Sequence, residues 1–542
     1  MTPLSWLAAR LASRHEHLNA HPRLVSDMAA LTLGYSLPET GPRVGIATFG
    51  SGEAHLALES LLGHALAQRG ARPELLVCDL PDLPICDERT LASHSRERCD
   101  GCFGDKRDLL EASRLPYRRM SEFVSADAVS VAQHRVAAIP DADLEHHIEH
   151  GWPIGQWLHV SACHYLRADA RGTAPEQVDV RRRLLASAVV VTNAVERWLD
   201  TVRPEIVIAE SGAHFMWRIA GELARGRGIR VVYREIGKGG FDHHLYSLGS
   251  DCMAPPLDDA WSDVRDVPLS TRDDAAVQSF LERLPAVTFG YTAPGRDARP
   301  SRLRERLGVL PNQVFAVAFS NVTWDLATAG RDVAFAGCLD WIRDCIAAVD
   351  GNPDVHLLVR VHPAEAHVWT RERLSDRIRA DLAGAWPHNL TVIEPEDSLS
   401  APEVFGDADV VLVYNSTAGL EAAAAGRRVV VCGAPHFRGR GFTHDMTHRS
   451  ELRRWLSRDA LSHPPASAEH ARRWVFLFYL RYHMRMHWTT SPLSPPIALI
   501  LSSLADLRPG ANAAVDAVCH GILAGAQPLL PAAVAAEAAC AP

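Results

Sequence analysis

Short runs of β-branched and other apolar residues alternate with longer helical segments along most of this 542-residue chain, and that alternation limits its fold more than any other feature. A strand buried on both faces reads as an unbroken apolar run, and two parallel strands need a crossover that a helix usually supplies. The segment RVGIATFGSGEAHLALESLLGHALAQRGARPELLVCDL reads as a strand at 44–49, a glycine-containing loop, a helix with Leu58, Leu61, Leu62 and Leu66 on one face, and a strand at 74–78. RPEIVIAESGAHFMWRIAGELARGRGIRVVYREIG repeats the design, with strands near 206–209 and 230–233. The cysteine-, His- and Trp-bearing text between them is expected to be an insertion at about 80–170.

From about residue 300 a second series begins: VFAVAFSN, HLLVRVHP, NLTVIEP, DVVLVYNS and RVVVCG, five short runs that predict a second parallel sheet. The fold class expected is therefore α/β, with two Rossmann-like domains facing a cleft. The boundaries read as 1–295, 296–490 with a closing helix, and an Ala/Pro-rich tail at 491–542, with a linker near 285–305. No structure is expected of the last 30 or so residues. Lys plus Arg is 56 against 65 for Asp plus Glu, a net charge of −9, and no basic run interrupts it, which argues against a nucleic-acid partner. The first 21 residues mix Arg10, Arg14 and His15 with apolar residues and lack a signal-peptide core, so a cytoplasmic protein is expected. The longest apolar run, near 497–504, is too short to span a bilayer.

In open α/β sheets, ligands bind at the carboxyl ends of strands, so the loops there are where chemistry is expected. In DADVVLVYNSTAGLEAAAAGRRVVVCG a strand ends at Tyr414, and Asn415, Ser416 and Thr417 open an Ala-rich helix. Hydroxyls, backbone N–H groups and the positive end of a helix suit a nucleotide phosphate, with Glu421 placed to accept from a ribose; the same residues would also serve as a plain N-cap. In HLLVRVHPAEA the chain turns at Pro363 and presents His362 at a strand end, with Arg360 and Glu365 on either side. A cation and a histidine there can neutralise phosphate or protonate a leaving group, and a strand-ending turn is the alternative. For inverting transfer to a hydroxyl, a base must take the acceptor proton. GSGEAH offers Glu53 and His55 and AESGAHF offers Glu210 and His214, each after an N-terminal strand, with helix capping as their other role. DHH at 242–244 is a weaker candidate.

The order FSNVTWD, LVRVHPAE, EDSLSAPEVFGDADVVLVYNSTAGLEAAAAGRRVVVCG and FRGRGFTHD, over roughly residues 200–490, resembles bacterial capsule polysaccharide biosynthesis proteins and related Kdo- and sialyl-type transferases of the GT-B fold. The resemblance implies a glycosyltransferase that moves a sugar from a nucleotide-sugar donor, with CMP-linked donors slightly favoured, to a surface glycan, a lipid-linked acceptor or another hydroxyl. It implies nucleotide contacts from His362, Pro363, Ser416 and Thr417. It makes Arg438, Arg440 and Thr443 candidate phosphate or acceptor contacts, with a solvated loop as the alternative, and lets Asn321 and Thr323 line the cleft, where Trp324 reads equally as a cleft residue or a core anchor. A nucleotide-sugar epimerase on the same fold, or a capsule assembly factor without catalysis, are the rival readings.

PICDERTLASHSRERCDGCFGDK holds Cys86, Cys99 and Cys102. A Cys-x2-Cys turn with a third thiol upstream can supply three ligands to a structural zinc or an iron–sulfur cluster, with His94, Cys163 or His164 as the fourth; unliganded thiols are the alternative. ARRWVFLFYLRYHMRMHW reads as a buried closing helix or, alternatively, as an aromatic and basic stripe in peripheral contact with the inner face of a membrane.

Overall fold

The computed structural model describes residues 21–540 apart from 51, 88–95, 239, 250, 284–301, 326–327, 329, 367–369 and 491–496. The described chain forms two compact units. The first gathers the residues up to Leu166, then Ala170–Pro256 and Tyr482–Val534; the second gathers Arg167–Asp169, Leu257–Arg481 and the residues from Ala535.

In the first unit β1 (Arg43–Thr48), β2 (Arg72–Val77), β3 (Tyr117–Arg119), β4 (Ile206–Glu210), β5 (Arg230–Ile236) and β6 (His243–Leu248) lie in the order 3-2-1-4-5-6. β1 to β5 run parallel; β6 is antiparallel to β5, and Met484–Arg485 pairs antiparallel with β6 at the edge. Helices α1 (Glu53–Ala67), α2 (Arg96–Ser113), α3 (His159–Leu166), α4 (Pro175–Val202) and α5 (Phe215–Gly226) belong to this unit. α1 is buried almost throughout because its Ala and Leu residues pack on both sides. The expected insertion supplies β3, so that part of it extends the sheet.

In the second unit β7 (Val314–Phe319), β8 (Val355–Arg360), β9 (Leu390–Ile393), β10 (Val410–Val413), β11 (Val429–Val431) and β12 (His444–Asp445) repeat the order 3-2-1-4-5-6, all parallel. The five apolar runs read from the sequence are β7 to β11. Their alternate residues Val314, Ala316, Ala318, Leu357, Val359, Val410 and Leu412 form one core with Trp341, Ile342 and Cys345 of a helix at Cys338–Val349.

Two boundaries differ from expectation. Residues 257–283 join the second unit because Trp261 stacks edge-on against Trp474 with centroids 5.3 Å apart, and Phe280 stacks on Tyr479 at 4.7 Å. The described part of the tail up to Val534 joins the first unit: Ala513–Ala524 is a helix capped by Asn512, which buries Val515, Val518 and Ile522 along one stripe. Arg69 and Arg230 tie it down by donating to the carbonyls of Leu507 (2.9 Å) and Leu523 (2.7 Å). The expected linker at 285–305 falls largely outside the described residues. The closing segment is a helix at Ala468–Val475 continued by a π-helix at Phe476–Tyr482, and Trp474 to Leu480 are buried, as expected of a core element.

Candidate functional site

A strand order of 3-2-1-4-5-6 reverses direction between strands 1 and 4, and the crevice beyond their carboxyl ends is where such sheets bind ligands. Each unit places a polar cluster there.

In the first unit the cluster is charged. His55 stands in the first turn of α1 and Glu210 ends β4; His55 Nδ1 lies 3.0 Å from Glu210 Oε1. Arg234, paired in register with Glu210 on the adjacent strand, places Nη2 3.1 Å from that same Nδ1, 3.1 Å from Glu59 Oε1 and 3.6 Å from Glu210 Oε2. Arg234 and Glu59 are almost wholly buried. After Glu210 the chain turns through two left-handed residues, Ser211 (φ 56°) and Gly212 (φ 78°), a strained arrangement that concentrates at functional sites. A Cβ on Gly212 would lie 2.9 Å from the Tyr233 ring, so glycine meets both the angle and the space. His214 then leads into α5, whose first N–H groups are taken by Ser161 Oγ (Phe215 N, 2.9 Å) and Asp87 Oδ2 (Met216 N, 3.0 Å).

The electrostatics follow from these contacts. Burial opposes ionisation of Glu210, but His55 and then Arg234 outweigh it and hold the carboxyl at about 2. Burial raises Glu59, which Arg234 offsets only in part, and raises Glu235, to which the Glu210 charge adds. Burial works against the Arg234 cation, yet Glu59 and Glu210 raise it above its ordinary value. Arg234 Nε and Nη1 and Ser211 Oγ are buried with no hydrogen-bond partner among the described residues.

In the second unit the cluster is neutral. Asn321, after β7, accepts from Asn415 N, after β10, at 3.0 Å. Ser320 Oγ accepts from His362 N at 3.0 Å, which joins the loop after β8. His362 Nδ1 accepts from Ala364 N at 3.2 Å, so the neutral ring carries its proton on Nε2. Ser416 Oγ accepts from Ala418 N at 3.3 Å and Thr417 is the N-cap of a helix at Ala418–Ala424. That helix has only seven residues, so hydroxyl and amide groups, more than a long helix dipole, make the site polar. Gly419 lets it sit close to β10: a Cβ there would meet Val413 Cγ2 at 2.7 Å.

Several residues read as ligand contacts are turned to structural work. Arg360 is buried and donates to the backbone carbonyls of Glu394, Asp397 and Leu399, which fixes the loop after β9. Glu365, inside the 3-10 turn that Pro363 begins, is buried and accepts from Leu374 N at 2.9 Å, and burial pushes its carboxyl up to about 7. Arg438 donates to the carbonyls of Gly433 (2.9 Å) and Met446 and so shapes its own loop. Arg440 pairs with Asp258 and lies 4.5 Å over the Trp474 ring; Thr443 donates to Asp445 at 2.7 Å. Glu421 is buried beside Tyr479, whose phenol is pushed up by burial and then by the Glu421 charge. Trp324 is buried with Arg167 4.4 Å over its ring, a core anchor. Glu53 Oε2 lies 3.1 Å from His21 Nδ1. Asp242 binds Arg485 and Trp488 N, and His244 contacts the Phe241 carbonyl, so the DHH segment anchors the edge strand.

Cys99 and Cys102 stand one turn apart on α2, a helix where a tight turn was expected. Cys86 and Cys102 are half-buried, while the Cys99 side chain and His94 lie outside the described residues. Cys163 Sγ lies 3.6 Å from His159 Nε2. No described helix is long and apolar enough to cross a membrane.

Arg234, Glu59 and Glu235 were not singled out by sequence. Their signal was present in VVYREI and LALESLL, where a charged residue interrupts an otherwise apolar strand or helix face.

No curated protein matches the chain significantly. Among solved structures it is similar to KpsC, beta Kdo 2,4 transferase, from Thermosulfurimonas dismutans, at 16% identity over 56% of this chain and 86% of that one, with a TM-score of 0.34. It is also similar to a putative UDP-N-acetylglucosamine 2-epimerase from Listeria monocytogenes, at 12% identity over 81% and 95% of the two chains, with a TM-score of 0.26. Residues 334–479, which hold the His362 turn and Asn415, Ser416 and Thr417, match the model of the capsule polysaccharide biosynthesis protein family, the family that the order of the chain's motifs resembles.

Proposed function

We propose that the chain is a glycosyltransferase of capsule or related surface-polysaccharide synthesis, which moves a sugar from a nucleotide donor to a hydroxyl acceptor. The observation that carries this reading is the family match over 334–479, which includes most of the neutral cluster at the switch point of the second unit. There the nucleotide is bound: Ser416 and Thr417 hydroxyls, backbone N–H groups and His362 Nε2–H donate to phosphate oxygens. As the sugar leaves, negative charge grows on the nucleotide, and a donor at His362 strengthens its hold in the transition state. The first unit supplies the base for the acceptor hydroxyl, His55 oriented by Glu210. Cys86, Cys99 and Cys102, if they hold a metal, do so in a structural role on the first unit.

The test is a panel of CMP, UDP, GDP and dTDP against the full chain by thermal shift, followed by the matching sugar nucleotide with and without glycan acceptors. One nucleotide should raise the melting temperature, and its release should depend on acceptor. Turnover of donor without acceptor would favour an epimerase, and binding without turnover an assembly factor. If none of the four shifts the melting temperature, the reading fails.

A further inference from the structure

We infer that Arg167 is a phosphate-binding residue of the second unit: its guanidinium, held over Trp324 on the loop that follows β7, brings the positive charge that a phosphate at the neutral cluster calls for. This deepens the reading of that cluster as the nucleotide site and rests on it.

A nucleotide phosphate arrives charged, and hydroxyls and amides solvate that charge without neutralising it. The arginines that sequence offered for the task are engaged elsewhere. Arg360 and Arg438 donate to backbone carbonyls, and Arg440 pairs with Asp258 beside the Trp474 ring.

Arg167 stands differently. It opens the short stretch Arg167–Asp169 that belongs to the second unit. Its Cζ lies 4.4 Å from the centre of the Trp324 ring, and Trp324 Nε1 donates to Thr370 Oγ1 at 3.1 Å. Its own carbonyl accepts from Arg371 N at 3.0 Å. The residue therefore touches both the loop that carries Ser320 and Asn321 and the chain that follows the His362 turn, the two loops joined by the bond from His362 N to Ser320 Oγ. Its backbone is left-handed, at φ 55°, a conformation that costs a residue with a side chain and persists where the surroundings hold it.

The guanidinium is short of acceptors. Nε is buried with no hydrogen-bond partner among the described residues. Burial works against the cation, and the Asp325 charge offsets only part of that cost. The Trp324 face holds the group in place, and a guanidinium fork matches two oxygens of one phosphate. An anion bound there would satisfy the donors and compensate the charge together.

The test is calorimetry on the full chain as wild type, R167M, R167Q and R167K, with two probes: the nucleotide that the panel selects and inorganic pyrophosphate. The melting temperature of each ligand-free protein is measured beside them. R167M should bind both probes about tenfold or more weakly, with R167Q in its place if R167M folds poorly. R167K, which keeps the charge and loses the fork, should recover part of the affinity. A folded R167M or R167Q that binds as wild type does, with or without a lower melting temperature, would make Arg167 a packing residue and overturn the inference while the nucleotide site stands. If no nucleotide binds, the reading of the site fails, yet pyrophosphate binding present in wild type and lost in R167M still supports a phosphate site at Arg167. Wild type that binds neither probe overturns both.

Discussion

The two units share a strand order and put their polar groups at the same topological position, yet they fill it with opposite chemistry. The switch point of the first unit holds a buried network of Arg234, Glu59, Glu210 and His55; that of the second holds Asn321, Asn415, Ser416, Thr417 and a neutral His362. The fold thus decides where a ligand meets the sheet, and a handful of side chains decide which kind. Amides, hydroxyls and an N–H imidazole suit an anion that brings its own charge. A carboxylate–imidazole pair stiffened by an arginine suits the removal of a proton.

The contrast can be broken most sharply at Arg234. R234M leaves Glu59 as an uncompensated buried acid and should cost about 3–5 kcal/mol in chemical denaturation, with part recovered in E59Q/R234M. Near-wild-type stability of R234M would mean that the first cluster is not the buried ion network described. The acids should next show opposite pH slopes. Glu210 is held near 2 against an ordinary 4.5, so its charge stabilises the fold above pH 4.5 and that stabilisation is lost as pH falls toward 2. Glu365 is raised from 4.5 to about 7, so its protonated form is at home below pH 4.5 and its burial becomes costly as pH rises through 7. Each effect is up to about 3 kcal/mol. Wild type should therefore lose its margin over E210Q in acid and fall behind E365Q in alkali; parallel slopes for the two comparisons would undo the distinction. Smaller still, N321A removes the acceptor for Asn415 N and should cost about 1–3 kcal/mol, with weaker nucleotide binding. Unaltered stability and affinity in N321A would show that the β7 and β10 loops are held together by other contacts.

Most of the sheet architecture was legible because buried parallel strands announce themselves as apolar runs: β7 to β11 and the β1–α1–β2 unit lie where the patterns fall. The domain boundaries were not, because the packing of Trp261 on Trp474 and of the Ala513–Ala524 helix on the first unit are long-range events that local composition does not report. At the sites, strand-end position marked His55, Glu210, His362 and Asn415 to Thr417. It could not tell a ligand-facing cation from a carbonyl-binding one, and Arg360 and Arg438 look the same in sequence as arginines that bind phosphate. Glu365 faces inward for a reason visible only once the N-terminus of the Leu374–Leu382 helix is in place to receive it.

The division of labour between the two switch points is tested most directly by calorimetry of the nucleotide that the panel selects, on wild type, S416A/T417A and E210Q side by side. Loss of charge-assisted hydrogen bonds to phosphate should weaken binding by roughly tenfold or more in S416A/T417A, while E210Q should bind as wild type does. Full affinity in a folded S416A/T417A, or a loss confined to E210Q, would place the nucleotide elsewhere and contradict the account.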